Sequence, residues 1–166
     1  MITVALGYFA FQFIDVLFFK WSLTKDVWAF VYHIVLQCVI HPAYWLLKGL
    51  GYDVYKTYDI VWVTGTRGVF IDRVCIGLDL IASFIILILA YPAKAKFKAI
   101  FTFLGVVLII GLNSLRVFTL VYNQILTKGY SPSIDPHYTF NILVYLIIFL
   151  VWALYVNVNE KAQLKP

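Results

Sequence analysis

Apolar residues come in long runs, and the polar breaks between them predict the elements. Ile2 to Phe19 is apolar except for Gln12 and Asp15. Val27 to Leu50 is more mixed and carries His33, Gln37, Cys38, His41 and Pro42. Ile76 to Tyr91 is almost wholly apolar and stops at Pro92; Ala99 to about Leu120 holds Asn113 and Arg116; Tyr138 to Val156 closes the series. Each run approaches the ~20 residues a spanning helix needs, given some tilt and a polar start. Tyr52 to Val74 differs in kind. β-type residues from Tyr58 to Val63 and from Val69 to Val74 flank Thr64-Gly65-Thr66-Arg67-Gly68, the pattern of a hairpin. A ribbon with open edges cannot sit in lipid, so it is expected outside the hydrocarbon layer or against protein. With no internal repeat and no linker, residues 1–166 read as a single membrane-embedded domain. The expected fold is an all-α integral membrane protein: four to five transmembrane helices, with a small extracytoplasmic hairpin-like segment before Cys75.

Composition strengthens the membrane reading. The chain is 63% hydrophobic and 13% charged, with mean hydropathy +0.91. Soluble domains hold about 45–50% apolar and about 25% charged residues. A chain of 166 residues has no aqueous core large enough for that apolar surface. The net charge of +5 lies mainly between and beside the apolar runs. It therefore reads as topology signal and lipid-headgroup contact rather than as a nucleic-acid surface. The start lacks a basic stretch and a small-residue cleavage site before Lys20, so Ile2 to Phe19 is read as an uncleaved helix.

Topology constrains the chemistry. The loop Pro92 to Lys98 holds Lys94, Lys96 and Lys98 without a negative charge, and the tail carries Lys161 and Lys165. Both are expected on the cytoplasmic side of the plasma (inner) membrane, which is consistent because two crossings separate them. Cys75, Arg116 and His137 then meet at the extracytoplasmic face. Lys20 and Lys25 favour a cytoplasmic loop before Val27, hence five spans. His33, Gln37 and His41 recur every four residues and form one polar stripe. That stripe suits either an interfacial helix or one facing the site.

Three residue types at one depth suggest a reaction. Cys75 stands where the hairpin ends and a helix begins, and backbone N–H groups at a helix start favour a thiolate. Its plain alternative is a small buried hydrophobe, which is also the reading of Cys38; a disulfide between the two stays open. Arg116 lies inside an apolar run, where a guanidinium costs roughly 2.5–3.5 kcal/mol to insert and marks a functional site. It never acts as a base but can bind a carboxylate or stabilise an oxyanion; its alternative is snorkelling to the headgroups. Asn113, one turn earlier, would donate to the same oxyanion or fix the guanidinium. His137 opens the last helix behind Asp135, placed to cap it, and Pro136. A neutral imidazole there would take the thiol proton and return one to a leaving amine. Asp79, one turn beyond Cys75, would orient a partner or pair with Arg73 or Arg116. The histidines and carboxylates lack metal-ligand spacing, so no metal and no organic cofactor is expected.

Several motifs in this order resemble the exosortase/archaeosortase family. They are Gly51-Tyr52-Asp53-Val54, Cys75-Ile76-Gly77-Leu78, Leu89-Ala90-Tyr91-Pro92 followed by lysines, Asn113-Ser114-Leu115-Arg116-Val117 and Asp135-Pro136-His137. The resemblance covers about residues 49 to 155. It implies a multi-spanning, transpeptidase-like cysteine protease that processes C-terminal sorting signals, each a short motif, a transmembrane helix and a basic tail. Cys75 matches the nucleophile, and Arg116 and His137 match the other two catalytic positions. The archaeal branch has arginine where this chain has His137, so the compact bacterial exosortase-like branch fits better. The chain departs from the usual pattern at Ile76, where the family has Ser or Ala, and at Asp79-Leu80, where it often has Arg-Ser.

Two other classes remain. A non-catalytic accessory or scaffold protein of an export or envelope system predicts an unreactive, replaceable Cys75. A small transporter would line a polar path with Asn113, Arg116 and His137, but Ile76 to Tyr91 and Tyr138 to Val156 offer few polar residues.

Overall fold

The computed structural model describes residues 22–127 and 136–163. The run Ile2 to Phe19 and the capping candidate Asp135 lie outside the described residues. Helix α1 covers Ser22–Gly49 and is followed by three short strands, β1 (Val54–Lys56), β2 (Ile60–Val63) and β3 (Val69–Phe70). A one-turn helix α2 (Arg73–Ile76), α3 (Leu78–Ala90), α4 (Ala95–Leu126) and α5 (Pro136–Gln163) complete the order. Among the described residues, three stretches are long and apolar enough to cross a membrane: Asp26–Gly49, Ala95–Leu126 and Phe140–Lys161. With the shorter apolar α3 they make a mostly helical membrane protein carrying one small sheet, the architecture that the hydrophobic pattern predicts.

Helix α4 is the axis on which α1, α3 and α5 all pack. Its 32 residues make a rod of about 48 Å at 1.5 Å per residue, longer than a hydrocarbon core of about 30 Å. Helix α1 runs parallel to it. The Ser114 hydroxyl donates to the Val39 carbonyl at 2.8 Å, and the Tyr52 ring meets Tyr122 edge-on farther along. Pro42 lies inside α1 and has no N–H to offer the Cys38 carbonyl, so this region of the helix leaves backbone oxygen in want of donors. The residues from Val27 to Leu50 therefore follow the longest span; they do not lie flat.

Helix α5 runs antiparallel to α4. Arg116 meets Asn141 at one end, while at the other the Tyr155 hydroxyl donates to the Ile88 carbonyl and Asn159 donates to the Pro92 carbonyl. The Tyr91 hydroxyl also reaches Glu160. The lysine-rich loop and the end of α5 thus share one end of the bundle, and Lys98 caps α3 there by donating to the Leu89 carbonyl at 2.7 Å. Close packing of α3 on α4 needs Gly105, because a Cβ at that position would fall inside the Phe84 ring.

The sheet sits at the opposite end. Its strands pair antiparallel in sequence order, with Tyr55 opposite Trp62 and Ile60 opposite Phe70. Alternation puts Val61 and Val63 inward, where they join Val69, Ile71, Leu36, Val117 and Val121 in one core cluster. Tyr55 and Trp62 stack on the outer face. Gln124 of α4 donates to the Gly68 carbonyl at 3.0 Å, tying the ribbon to the axis. The polar stripe of α1 also meets the ribbon. His33 stacks on Tyr58, Gln37 Nε2 donates to the Tyr58 carbonyl, and His41 Nε2 lies 2.9 Å from Lys56 Nζ. The stripe is a docking strip for the hairpin.

Several expectations change. The ribbon has a third strand, β1, and its last strand ends at Phe70 rather than Val74. Helix α4 continues past Leu120 to Leu126, drawing Asn123 and Gln124 into its last turn. Helix α3 starts only at Leu78, and its 13 residues reach about 20 Å, short of a full crossing. Cys38 is exposed on α1 rather than buried, and both cysteines are free thiols, so no disulfide links them.

Candidate active site

The site forms where α3 begins, α4 passes and α5 begins. Arg116 is only 3% exposed, although its position inside an apolar helix makes burial costly. Its Nη1 donates to Asn141 Oδ1 at 3.0 Å. A charged hydrogen bond of this kind is worth about 1.5–3 kcal/mol, which offsets much of the insertion cost. The side chain therefore turns into the bundle; it does not snorkel outward. Arg116 and Asn141 line a small cavity of about 70 Å³ together with Gly77, Asp79 and Asn113.

Asp79 occupies the first turn of α3, where backbone N–H groups favour a carboxylate. Its negative charge and the guanidinium of Arg116 face the same small volume. Asn113 Nδ2 donates to the Ile109 carbonyl of its own helix at 2.9 Å, so that donor serves the α4 backbone. Its amide lies against Gly77, and a Cβ on Gly77 would collide with it. Gly77 is also left-handed, with φ of 73°, a conformation that costs side-chain-bearing residues about 1 kcal/mol or more. Two independent constraints therefore demand glycine at the edge of the cavity.

Cys75 stands just before that glycine. It does not begin the long helix as the hydrophobic pattern suggested; it is the third residue of the one-turn α2, and its N–H donates to the Asp72 carbonyl at 2.8 Å. The left-handed Gly77 separates this turn from α3. The cysteine is 5% exposed, within the apolar cluster that includes Ile71, Ile76 and Val117. It does not line the cavity around Arg116. His137 lies in the first turn of α5, one helical turn before Asn141; its side chain lies outside the described residues, as does that of Arg73.

Of the candidates, the structure brings Asp79, Asn113 and Arg116 around one volume and places the Cys75 turn beside it. Asn141 was not singled out from the sequence. The available signal was its spacing of four from His137, which puts the two positions on one face of a helix. Among the described residues, no group of three or more His, Cys, Asp or Glu gathers as metal ligands.

A sequence model of the transmembrane exosortase family matches residues 5–157. No curated protein and no solved structure matches the chain.

Proposed function

The chain belongs to the transmembrane exosortase family, and from that membership we propose that it cleaves C-terminal sorting signals of exported proteins through a thioester on Cys75. Membership supports a membrane-embedded protease or transpeptidase role in general, with protein substrates that carry sorting signals. The finer reading takes its support from one observation. A buried arginine, held by Asn141, lines a polar cavity that begins two residues after a cysteine.

In this reading the Cys75 thiol gives its proton to His137, and the sulfur attacks the scissile carbonyl carbon. Negative charge gathers on the carbonyl oxygen, and Arg116 stabilises it in a site screened from water. The carbon–nitrogen bond breaks, His137 returns the proton to the departing amine, and a thioester remains on Cys75. Water or an amine then attacks the thioester and restores the thiol. The two outcomes are hydrolysis and transfer. The near-complete burial of Cys75 requires that substrate binding uncover it, and the backbone break at Gly77 gives the cysteine turn a place to move. Asp79 and Asn113 orient the guanidinium and pack the cavity wall. The site faces the extracytoplasmic side of the plasma membrane, with the lysine-rich loop inside.

The burial of Cys75 also favours a second reading, a non-catalytic accessory protein of an export or envelope system. One experiment separates them: intact masses of membrane proteins from cells with the wild-type chain or Cys75→Ala at equal levels. Processing by Cys75 predicts that a protein with a C-terminal helix and basic tail accumulates uncleaved only in the mutant. Identical profiles, with Cys75 resistant to alkylation, decide for the accessory role.

A further inference from the structure

A second cavity adjoins the polar one. It is an apolar groove of about 240 Å³ between α3 and α5, lined by Leu80, Ser83, Phe84, Leu87, Tyr145 and Ile148, with Asp79 at its head. Asp79, Leu80 and Tyr145 line both volumes, so the two are continuous. The spacing is that of one face on each helix: 80, 83, 84 and 87 on α3, and 141, 144, 145 and 148 across the two cavities on α5. Polarity falls along this track. Asp79, Asn113, Arg116 and Asn141 stand at its head, and apolar side chains follow toward the lysine end.

We propose that this groove seats the transmembrane helix of the protein substrate, so that the polar stretch just ahead of that helix enters the Arg116 cavity. The inference rests on the sorting-signal protease reading given above. A chain covers at most about 3.3–3.6 Å per residue, so a cleavage site close to a membrane helix reaches the cavity only if that helix lies beside it. The groove meets that need, because its apolar length begins where the polar cavity ends. Its walls also have room for a partner. Only 17% of the apolar window of α5 is buried, against 44% for α4. Ser83 is small, and small residues let membrane helices approach closely. A larger apolar hollow of about 580 Å³ lies near Leu89, Lys98 and Phe103, but it shares no residue with the polar cavity and so lacks the continuity the proposal uses.

The test places the photocrosslinking residue p-benzoylphenylalanine at Leu87, at Tyr145 and, as a control, at Phe103. Each is made in the full chain carrying Cys75→Ala and expressed in cells. The groove predicts adducts at Leu87 and Tyr145, absent at Phe103. Each must join the protein that accumulates uncleaved in Cys75→Ala cells, through a peptide from its C-terminal apolar helix. Adducts with lipid alone, with residues 2–19 of this chain, or equally at Phe103 overturn the proposal while the cleavage reading stands. If no protein accumulates in Cys75→Ala cells, the cleavage reading itself falls, and the groove proposal with it. A second measurement uses an intact Cys75. Ser83→Trp lowers processing about a hundredfold, the loss that an ångström of misplacement gives. Phe103→Trp, on an exposed lipid-side position, leaves processing within about twofold. Unchanged processing in Ser83→Trp overturns the proposal.

Discussion

Arg116 shows how far a single residue argues in a membrane. Its burial on α4 costs roughly 2.5–3.5 kcal/mol, and the hydrogen bond to Asn141 returns a comparable amount. Retaining such a group makes sense where its charge is used. Arg116→Lys keeps the charge and loses the planar fork, so cleavage should fall by about 10²–10³-fold, the scale of a lost oxyanion donor. Processing rate at equal membrane abundance measures it, and near wild-type turnover removes the oxyanion role from Arg116. Gly77 offers a structural counterpart. Gly77→Ala strains a left-handed backbone by about 1 kcal/mol or more and drives a methyl group into the Asn113 amide. Its thermal stability in detergent should drop, and adding Asn113→Ala should recover the steric part while the backbone part stays. Strict additivity of the two substitutions would show that they are not in contact. Asp79, Asn113 and Arg116 were legible in the sequence because charged and amide groups stand out in apolar runs. Asn141 was not, because the run from Tyr138 to Val156 reads as apolar on average and one amide barely alters a window. The position of Cys75 was misread for a related reason: hydropathy is continuous across Gly77, so nothing in it signals that the backbone reverses handedness there.

At the scale of elements, composition found the helices and local geometry set their ends. Pro92 stops α3 where the sequence says it should, because the residue before proline is pushed out of the helical region; Tyr91 is extended, with ψ of 134°. The other end, at Leu78, depends on a conformation no hydrophobic count contains. Strand β1 escaped notice because Val54–Lys56 is three residues long and acquires meaning only through pairing with Val61–Val63. The polar stripe of α1 left two choices open, and the answer was the ribbon itself, since Gln37 and His41 find their partners on Tyr58 and Lys56. Packing of α3 against α4 gives the test at this scale. Gly105→Ala sets a methyl group within the space of the Phe84 ring, and overpacking of this kind costs typically 1–3 kcal/mol. Thermal melting in detergent should fall accordingly, and Phe84→Leu in the same chain should restore part of the loss. A Gly105→Ala protein as stable as wild type would mean that α3 and α4 sit farther apart.

The whole molecule is asymmetric along its axis, and that asymmetry predicts its orientation. At one end lie Lys94, Lys96 and Lys98, with the end of α5 bound to the same loop through Asn159 and Pro92. At the other lie the sheet, the Cys75 turn and the Arg116 cavity. Helix α4 joins the ends over about 48 Å, so the excess beyond the hydrocarbon core must emerge on one side or both. The lysine end is short, basic and free of acidic residues through residues 92–98, and such loops stay cytoplasmic. The excess length of α4 should then emerge outside, at the end where its last turns hold the sheet through Gln124 and Gly68. In a chain with Cys38→Ala and Cys75→Ala, single cysteines report the arrangement. Thr66→Cys, in the hairpin turn, should react with a membrane-impermeant maleimide in intact cells. Lys96→Cys should react only after the membrane is opened. That order of labelling would place the Arg116 cavity and the Cys75 turn outside, where exported proteins are met. The reverse order would put the Arg116 cavity in the cytoplasm, and substrates would then have to be cleaved before export rather than after it.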